Sequence, residues 1–429
     1  MGILIANALS VIPDGEGISV GRHDIYVNGT DIAGIDEPPS GFAPSEVIDG
    51  TRLLAIPGLV NAHTHTYMSV MRNVADDLAF ADWLMGTVEP IEDRMEAEDA
   101  YWGSLLTQAE MIRSGTTCFN DQQMHIGQTT AAVRDSGMRA VISRGLVGES
   151  YDDGDRRLNE ARREMAEFSD CDRLSFRLGP HAPYSCSPDY LRLVADVAWQ
   201  ENLGIHIHIA ESQFETDTLR SNHGCTPVEY VLNAGIFEVP TIAAHCIRLE
   251  KDDFDILAEN GVSVVTCPAS NMKLGNGFAP VPEMMGAGIN VCLGTDGAAS
   301  NNSQSMIREM GLVTLIHKGT HGTPQCVSAT ESFLMATRNA AKALGLPVGT
   351  LEVGRKADIA LIDLDSPSMT PLGNPVAALS YSANGSEVDT VLIDGKLVMR
   401  KRELLTIDEE RVLHEMNRIC ERLGLARMD

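Results

Sequence analysis

Histidines separated by a single residue occur twice in this chain, each time at the end of an apolar run. The first run reads Gly58-Leu59-Val60-Asn61-Ala62-His63-Thr64-His65, and the second reads Gly204-Ile205-His206-Ile207-His208-Ile209-Ala210-Glu211. Alternate side chains of an extended strand share a face, so each pair points one way and can meet one ion. In the second pair His208 lies nearer the strand's C-terminal end and is the better ligand; His206 belongs deeper, packed and hydrogen-bonded. Two further runs end in polar groups, Thr241-Ile242-Ala243-Ala244-His245-Cys246 and Val291-Cys292-Leu293-Gly294-Thr295-Asp296. A lone strand histidine is ordinarily a satisfied core group. Four apolar strands ending in His, His with Glu, His and Asp call for another explanation.

Three neutral imidazoles and one carboxylate suit zinc, with iron as the other candidate, and leave one position open for water. A divalent ion lowers the pKa of such a water to about 7. Attack on an electrophilic carbon also needs a base for the water's proton and an acid for the leaving side. Glu211, His245 and Asp296 are placed to share those roles. Metal-assisted hydrolysis follows from the residues alone. Ser300 and Ser303 lack a nucleophile-elbow context, and the HxE…PCxxC signature of the cytidine-type zinc deaminases is absent. His23, His125, His223, His317, His321 and His414 lie away from strand ends and read as surface or loop residues.

Groups so far apart in sequence need a scaffold that gathers strand ends. Between Leu53 and Leu293 the chain alternates eight apolar strand candidates with helical ones. The strands are Leu53–Ala62, Thr117–Asn120, Ala140–Leu146, Leu174–Leu178, Gly204–Ile209, Thr241–Ala244, Val262–Thr266 and Asn290–Leu293. That rhythm fits an α/β fold of the (β/α)8 barrel type, whose reactive groups collect at the strands' C-terminal ends. A doubly wound open sheet is the runner-up, but no GxGxxG opens a first βα unit. Both chain ends are short β-like runs broken by Gly, Pro and Asp, until an amphipathic helix at Ile407–Leu425. The expected division is a small β-sandwich of residues 1–56 and 347–429 around a barrel of residues 57–346.

The 429 residues carry 33 Lys and Arg against 60 Asp and Glu, a formal charge of −27. That excess repels phosphate backbones and anionic lipid, so a nucleic-acid polymer or a membrane is not an expected partner. The nine cysteines form no CxxC and sit partly in apolar runs, as reduced buried thiols would. No basic leader and no run of about 18 apolar residues occurs. A cytoplasmic enzyme is expected.

The motifs PGLVNAHTH, HIAES, AAHC, CPASNMKLGNG and LGTDGAASNN resemble those of the amidohydrolase superfamily. The chain is most similar to its 5-methylthioadenosine/S-adenosylhomocysteine deaminases, from the β-rich start to Leu361-Ile362-Asp363. The resemblance implies a (β/α)8 barrel with a sandwich from both termini, and one divalent metal, zinc or iron, on His63, His65, His208 and Asp296. No lysine ends the fourth strand, Gly179-Pro180-His181, so the carbamylated two-metal form is not implied. By the same resemblance Glu211 protonates the purine N1, while His245 and Asp296 orient and deprotonate the attacking water. Glu92 would take the ribose hydroxyls, which suits an ionised carboxylate. Arg144 and Arg157 would meet a homocysteine carboxylate, which suits guanidinium forks; either could instead be a surface ion-pair partner, Arg157 more readily than Arg144, and Arg156 could replace Arg157. His181 would contact the substrate, and Trp83 would pack on it unless it is plain core.

The expected activity is hydrolytic deamination of 5′-modified adenine nucleosides by a homo-oligomer. Another amino- or chloro-substituted heterocycle (guanine, a pterin, cytosine, a triazine) is the rival substrate, since a free base leaves Glu92 without a diol. A non-catalytic scaffold is the remote alternative, opposed by the full set of ligands.

Overall fold

The computed structural model describes residues 2–15, 17–150 and 155–425. Eight parallel strands form one sheet in chain order: Leu59–Thr64, Thr116–Gln123, Arg139–Leu146, Leu174–Pro180, Gly204–Ile209, Thr241–His245, Ser263–Thr266 and Asn290–Leu293. Helices such as Ala97–Arg113, Pro188–Glu201 and Lys251–Glu259 return the chain between them. The barrel closes where strand eight runs past strand one, as Thr295 N and Asp296 N donate to His63 O at 3.1 and 3.0 Å. That closure sets Asp296 against His63.

A second sheet of nine strands draws on both termini. Gly2–Asp14, Gly17–Asn28, Asp31–Ile35, Glu46–Asp49 and Leu53–Pro57 join Ile359–Asp363, Val388–Ile393, Lys396–Arg400 and Glu403–Leu404. Its strands are hydrogen-bonded into one continuous sheet, which encloses its own core of Ile3, Ile5, Ile25, Val27, Ile32, Leu361 and Leu392. The terminal helix Glu409–Leu423 leaves this sheet and lies on Ala97–Arg113 of the barrel, with Arg113 Nε donating to Glu409 Oε1 at 3.0 Å. Its buried Val412, Met416, Ile419 and Leu423 recur every three or four residues, the helical period of one apolar face.

One expected strand is two. The run Leu53–Ala62 breaks at Gly58, so Leu53–Pro57 pairs in the terminal sheet and Leu59–Thr64 starts the barrel. A Cβ on residue 58 would stand 2.1 Å from Thr117 Oγ1, so only glycine lets the chain cross between layers there. Periodicity could not show this, because both halves are equally apolar.

Candidate active site

Each barrel strand delivers its polar end to one mouth. His63 and His65 leave strand one on the same face, as period two requires. His208 comes from strand five, His245 from strand six, and Asp296 from the turn after strand eight. Ala210, His245, Cys246 and Asp296 all adopt left-handed backbone, with φ of 52, 72, 47 and 63°. Non-glycine residues rarely sit there, and such strain concentrates where a mouth must aim side chains.

The histidine tautomers follow from their partners. His65 Nδ1 lies 2.8 Å from Gln122 O, and His208 Nδ1 lies 2.7 Å from His181 O. A carbonyl only accepts, so both Nδ1 atoms carry the proton. Burial lowers both pKa values, so the rings are neutral and each Nε2 presents a lone pair. Those two Nε2 atoms face each other at 3.2 Å. Two lone pairs at that distance repel unless a cation lies between them.

The remaining donors complete the set. Nε2 of His63 and of His65 each lie 3.4 Å from Asp296 Oδ1, and the buried His63 Nε2 has no hydrogen-bond partner among the described residues. A tetrahedron of donors about 2.0–2.1 Å from its centre has edges of about 3.3–3.4 Å. His63, His65, His208 and Asp296 therefore fit a divalent metal. Asp296 Oδ2 accepts from Ser270 and Ser300 at 2.6 and 2.8 Å, and Oδ1 from Gly297 N at 2.8 Å.

Beside these four residues stand Glu211 and His245, with Oε2 and Nε2 3.9 Å apart. Burial pushes the Glu211 carboxyl up to about 6 against the pull of His245. His245 Nδ1 lies 2.9 Å from Asn271 Oδ1, which leaves Nε2 facing the mouth. Burial would lower the His245 pKa, but Glu211 and Asp296 outweigh it and raise it. Buried Glu215 accepts from the backbone N–H groups of Ala210 and Glu211, each at 2.9 Å, and pins the turn that carries Glu211.

A cavity of about 330 Å³ opens from this cluster, walled by Trp83, Glu92, Arg157, His181 and Tyr184 among others. Trp83 is held by Nε1–H donating to Ala299 O at 3.2 Å. His181 Nδ1 lies 2.9 Å from Ser185 Oγ, and burial lowers its pKa to about 4. Arg144 is not among the lining residues; its Nη2 pairs with Glu160 Oε2 at 2.8 Å and its Nη1 with Glu164 Oε2 at 3.6 Å. Arg157 lines the cavity where Arg156 does not, and the Asp153-Gly154 step before it lies outside the described residues.

His206 is deep as expected, with Nε2 2.8 Å from His63 Nδ1. His317 departs from the surface reading: it is 4 % exposed, in the helix Met306–His321. The sequence reading missed Tyr67, Glu215, Asn271 and Ser270. The motif CPASNMKLGNG contains two of them, and its polar residues inside an apolar context were the available signal.

The amidohydrolase family model matches residues 54–398. The chain belongs to the amidohydrolase family. This amidohydrolase is 45% identical over 389 residues to the 5-methylthioadenosine/S-adenosylhomocysteine deaminase of Pelotomaculum thermopropionicum, covering 90% of this chain and 89% of that one. It is 42% identical over 428 residues to the protein of the same description from Thermoanaerobacter pseudethanolicus, covering 99% of both. Among solved structures, an adenosine deaminase from Xanthomonas campestris with bound zinc superposes with a TM-score of 0.93 at 30% identity, covering 98% of each chain. The eight-stranded barrel and the sheet from both termini are thus an amidohydrolase architecture throughout. No helix among the described residues is long and apolar enough to cross a membrane.

Proposed function

We propose that this amidohydrolase deaminates 5′-modified adenine nucleosides, S-adenosylhomocysteine, 5′-methylthioadenosine or 5′-deoxyadenosine, to the inosine analogue and ammonia. The observation that carries the reading is one cavity with a buried acid, Glu211, on the wall it shares with a second carboxylate, Glu92. The relatives named above support it, since their described substrates carry both an amino-purine and a ribose.

His63, His65, His208 and Asp296 would hold one divalent ion, most simply zinc, which would supply a water nucleophile near neutral pH. Glu211 is protonated often enough, with its carboxyl near 6, to hand a proton to the purine N1. His245 Nε2 faces Glu211 and takes a proton from the water side, its ring orientation fixed by Asn271. Asp296 stays ionised under its two serine donors and orients the same water. A C–O bond forms at C6 as the C–N bond to the amino group breaks, and the amine leaves with the proton relayed by these groups. Glu92 accepts from the ribose hydroxyls, His181 and Trp83 pack the base, and Arg157 faces a carboxylate at the 5′ end. Arg144 reaches that carboxylate only by leaving Glu160 and Glu164.

The test is ammonia release and loss of the adenosine absorbance with metal-replete protein and the three nucleosides, with guanine and a pterin alongside. No ammonia from any nucleoside defeats the proposal. Turnover of a free base alone transfers it to the heterocycle reading.

A further inference from the structure

Tyr67 lies two residues after His65, in the short 3-10 helix Thr66–Met71, and lines the cavity at 5 % exposure. Its hydroxyl donates to Glu92 Oε1 at 2.6 Å. The phenol has little freedom. Its ring stands edge-on to His65, centroids 6.5 Å apart at 78°. The turn beneath it is anchored by Thr66 N donating to Asp121 Oδ1 at 3.1 Å and by Thr107 Oγ1 donating to Thr66 O at 2.7 Å. Glu92 comes from a separate short helix, Glu89–Glu92, so the hydrogen bond joins two elements across the cavity wall.

That bond commits the phenol's only proton. What remains at this end of the cavity is a pair of acceptors, the lone pairs of Tyr67 Oη and Glu92 Oε2, to which no described side chain donates. Two adjacent acceptors match two adjacent hydroxyls. A ligand lacking one hydroxyl leaves a buried acceptor unpaired, and sites of this kind reject such analogues strongly.

We propose that Tyr67 is a specificity residue, which positions Glu92 and with it distinguishes a ribonucleoside from a 2′-deoxynucleoside. The proposal rests on the nucleoside reading above, and its test also reads binding without turnover. Titration calorimetry of 5′-methylthioinosine and its 2′-deoxy counterpart is set beside KM and kcat for the matching adenine nucleosides, using zinc-loaded wild type, Tyr67→Phe, Glu92→Gln and the double variant. Wild type favours the ribo form by about tenfold or more. Tyr67→Phe removes most of that preference, with the loss falling on KM, and zinc content and thermal midpoint stay at wild-type values. The double variant discriminates no worse than Glu92→Gln.

Equal losses for ribo and deoxy forms in Tyr67→Phe overturn the proposal, as does a fully additive double variant or a Glu92→Gln enzyme that keeps the preference. A ribo preference that Tyr67→Phe abolishes, in a protein that deaminates neither form, would sustain Tyr67 and defeat the deamination reading.

Discussion

His63 Nδ1 and His206 Nε2 stand 2.8 Å apart across the barrel floor, joining two strands that are 143 residues apart in sequence. For His63 to offer Nε2 to a metal its Nδ1 must carry the proton, so His206 Nε2 accepts. Burial keeps His206 well below its usual pKa and so keeps that lone pair free. Such partners of ligand histidines are worth about 10–100-fold in metal affinity. His206→Phe, which fills the space without an acceptor, is expected to weaken zinc by that factor in a chelator competition. Unchanged affinity would make His206 a packing residue only.

Glu211 is the group whose loss separates chemistry from metal binding. Glu211→Gln keeps the shape and the contact that Asn276 Nδ2 makes to Oε1 at 3.3 Å but cannot release a proton. Turnover is expected to fall by about 10²–10⁴ while zinc analysis of the same sample stays at one per chain. If zinc is lost as well, Glu211 is a ligand and the acid lies elsewhere.

The parts of this site that alternate along strands were legible before the fold was known. His63, His65, His208, His245 and Asp296 each interrupt an apolar run at its C-terminal end, and it was their coincidence across four strands that pointed to chemistry. Residues that act through partners far along the chain were not legible. Arg144 read as a partner for a substrate carboxylate, whereas Glu160 and Glu164, one turn apart on the helix Asp155–Glu167, pair with it. Tyr67 drew no reading, because its contact with Glu92 depends on where the helix Glu89–Glu92 falls. The break at Gly58 was hidden because hydropathy is the same on both sides, and only the approach of Thr117 decides it.

If Glu92 takes the ribose hydroxyls as proposed, nucleoside recognition depends on pH. Burial raises its carboxyl to about 7, with Glu89 and Asp93 adding and the Tyr67 hydrogen bond opposing. Hydroxyl groups donate to the ionised form, which prevails above that value and is lost as pH falls through it. Glu211 titrates near 6 and affects every substrate alike, so the informative quantity is a ratio. The ratio of kcat/KM for a ribonucleoside to that for its 2′-deoxy form is expected to rise between pH 6 and 8, and to be flat in Glu92→Gln. A wild-type ratio that does not change with pH would remove Glu92 from the ribose end.

Arg139 ties the opposite end of the barrel to the terminal sheet. Its Nε and Nη2 donate to Asp358 at 2.9 and 3.1 Å, and Nη2 also reaches Asp394 Oδ1 at 3.0 Å. The side chains of Arg139 and Asp358 are 3% and 0% exposed, and Asp358 Oδ1 further accepts from Asp394 N at 2.8 Å. Desolvation opposes the charge on Arg139, yet its pKa rises because Asp358 outweighs that cost. Removing the arginine alone leaves two carboxylates without a cation in a dry site, which costs about 3–5 kcal/mol. Arg139→Met is therefore expected to lower the unfolding free energy read from denaturant titration by that amount, and Arg139→Met with Asp358→Asn and Asp394→Asn to recover part of it. The network lies at the N-terminal end of its strand, where residues serve stability, so kcat measured well below the melting range should hold. A loss under about 1 kcal/mol would show that water reaches the carboxylates and that the two layers are joined by apolar contact instead.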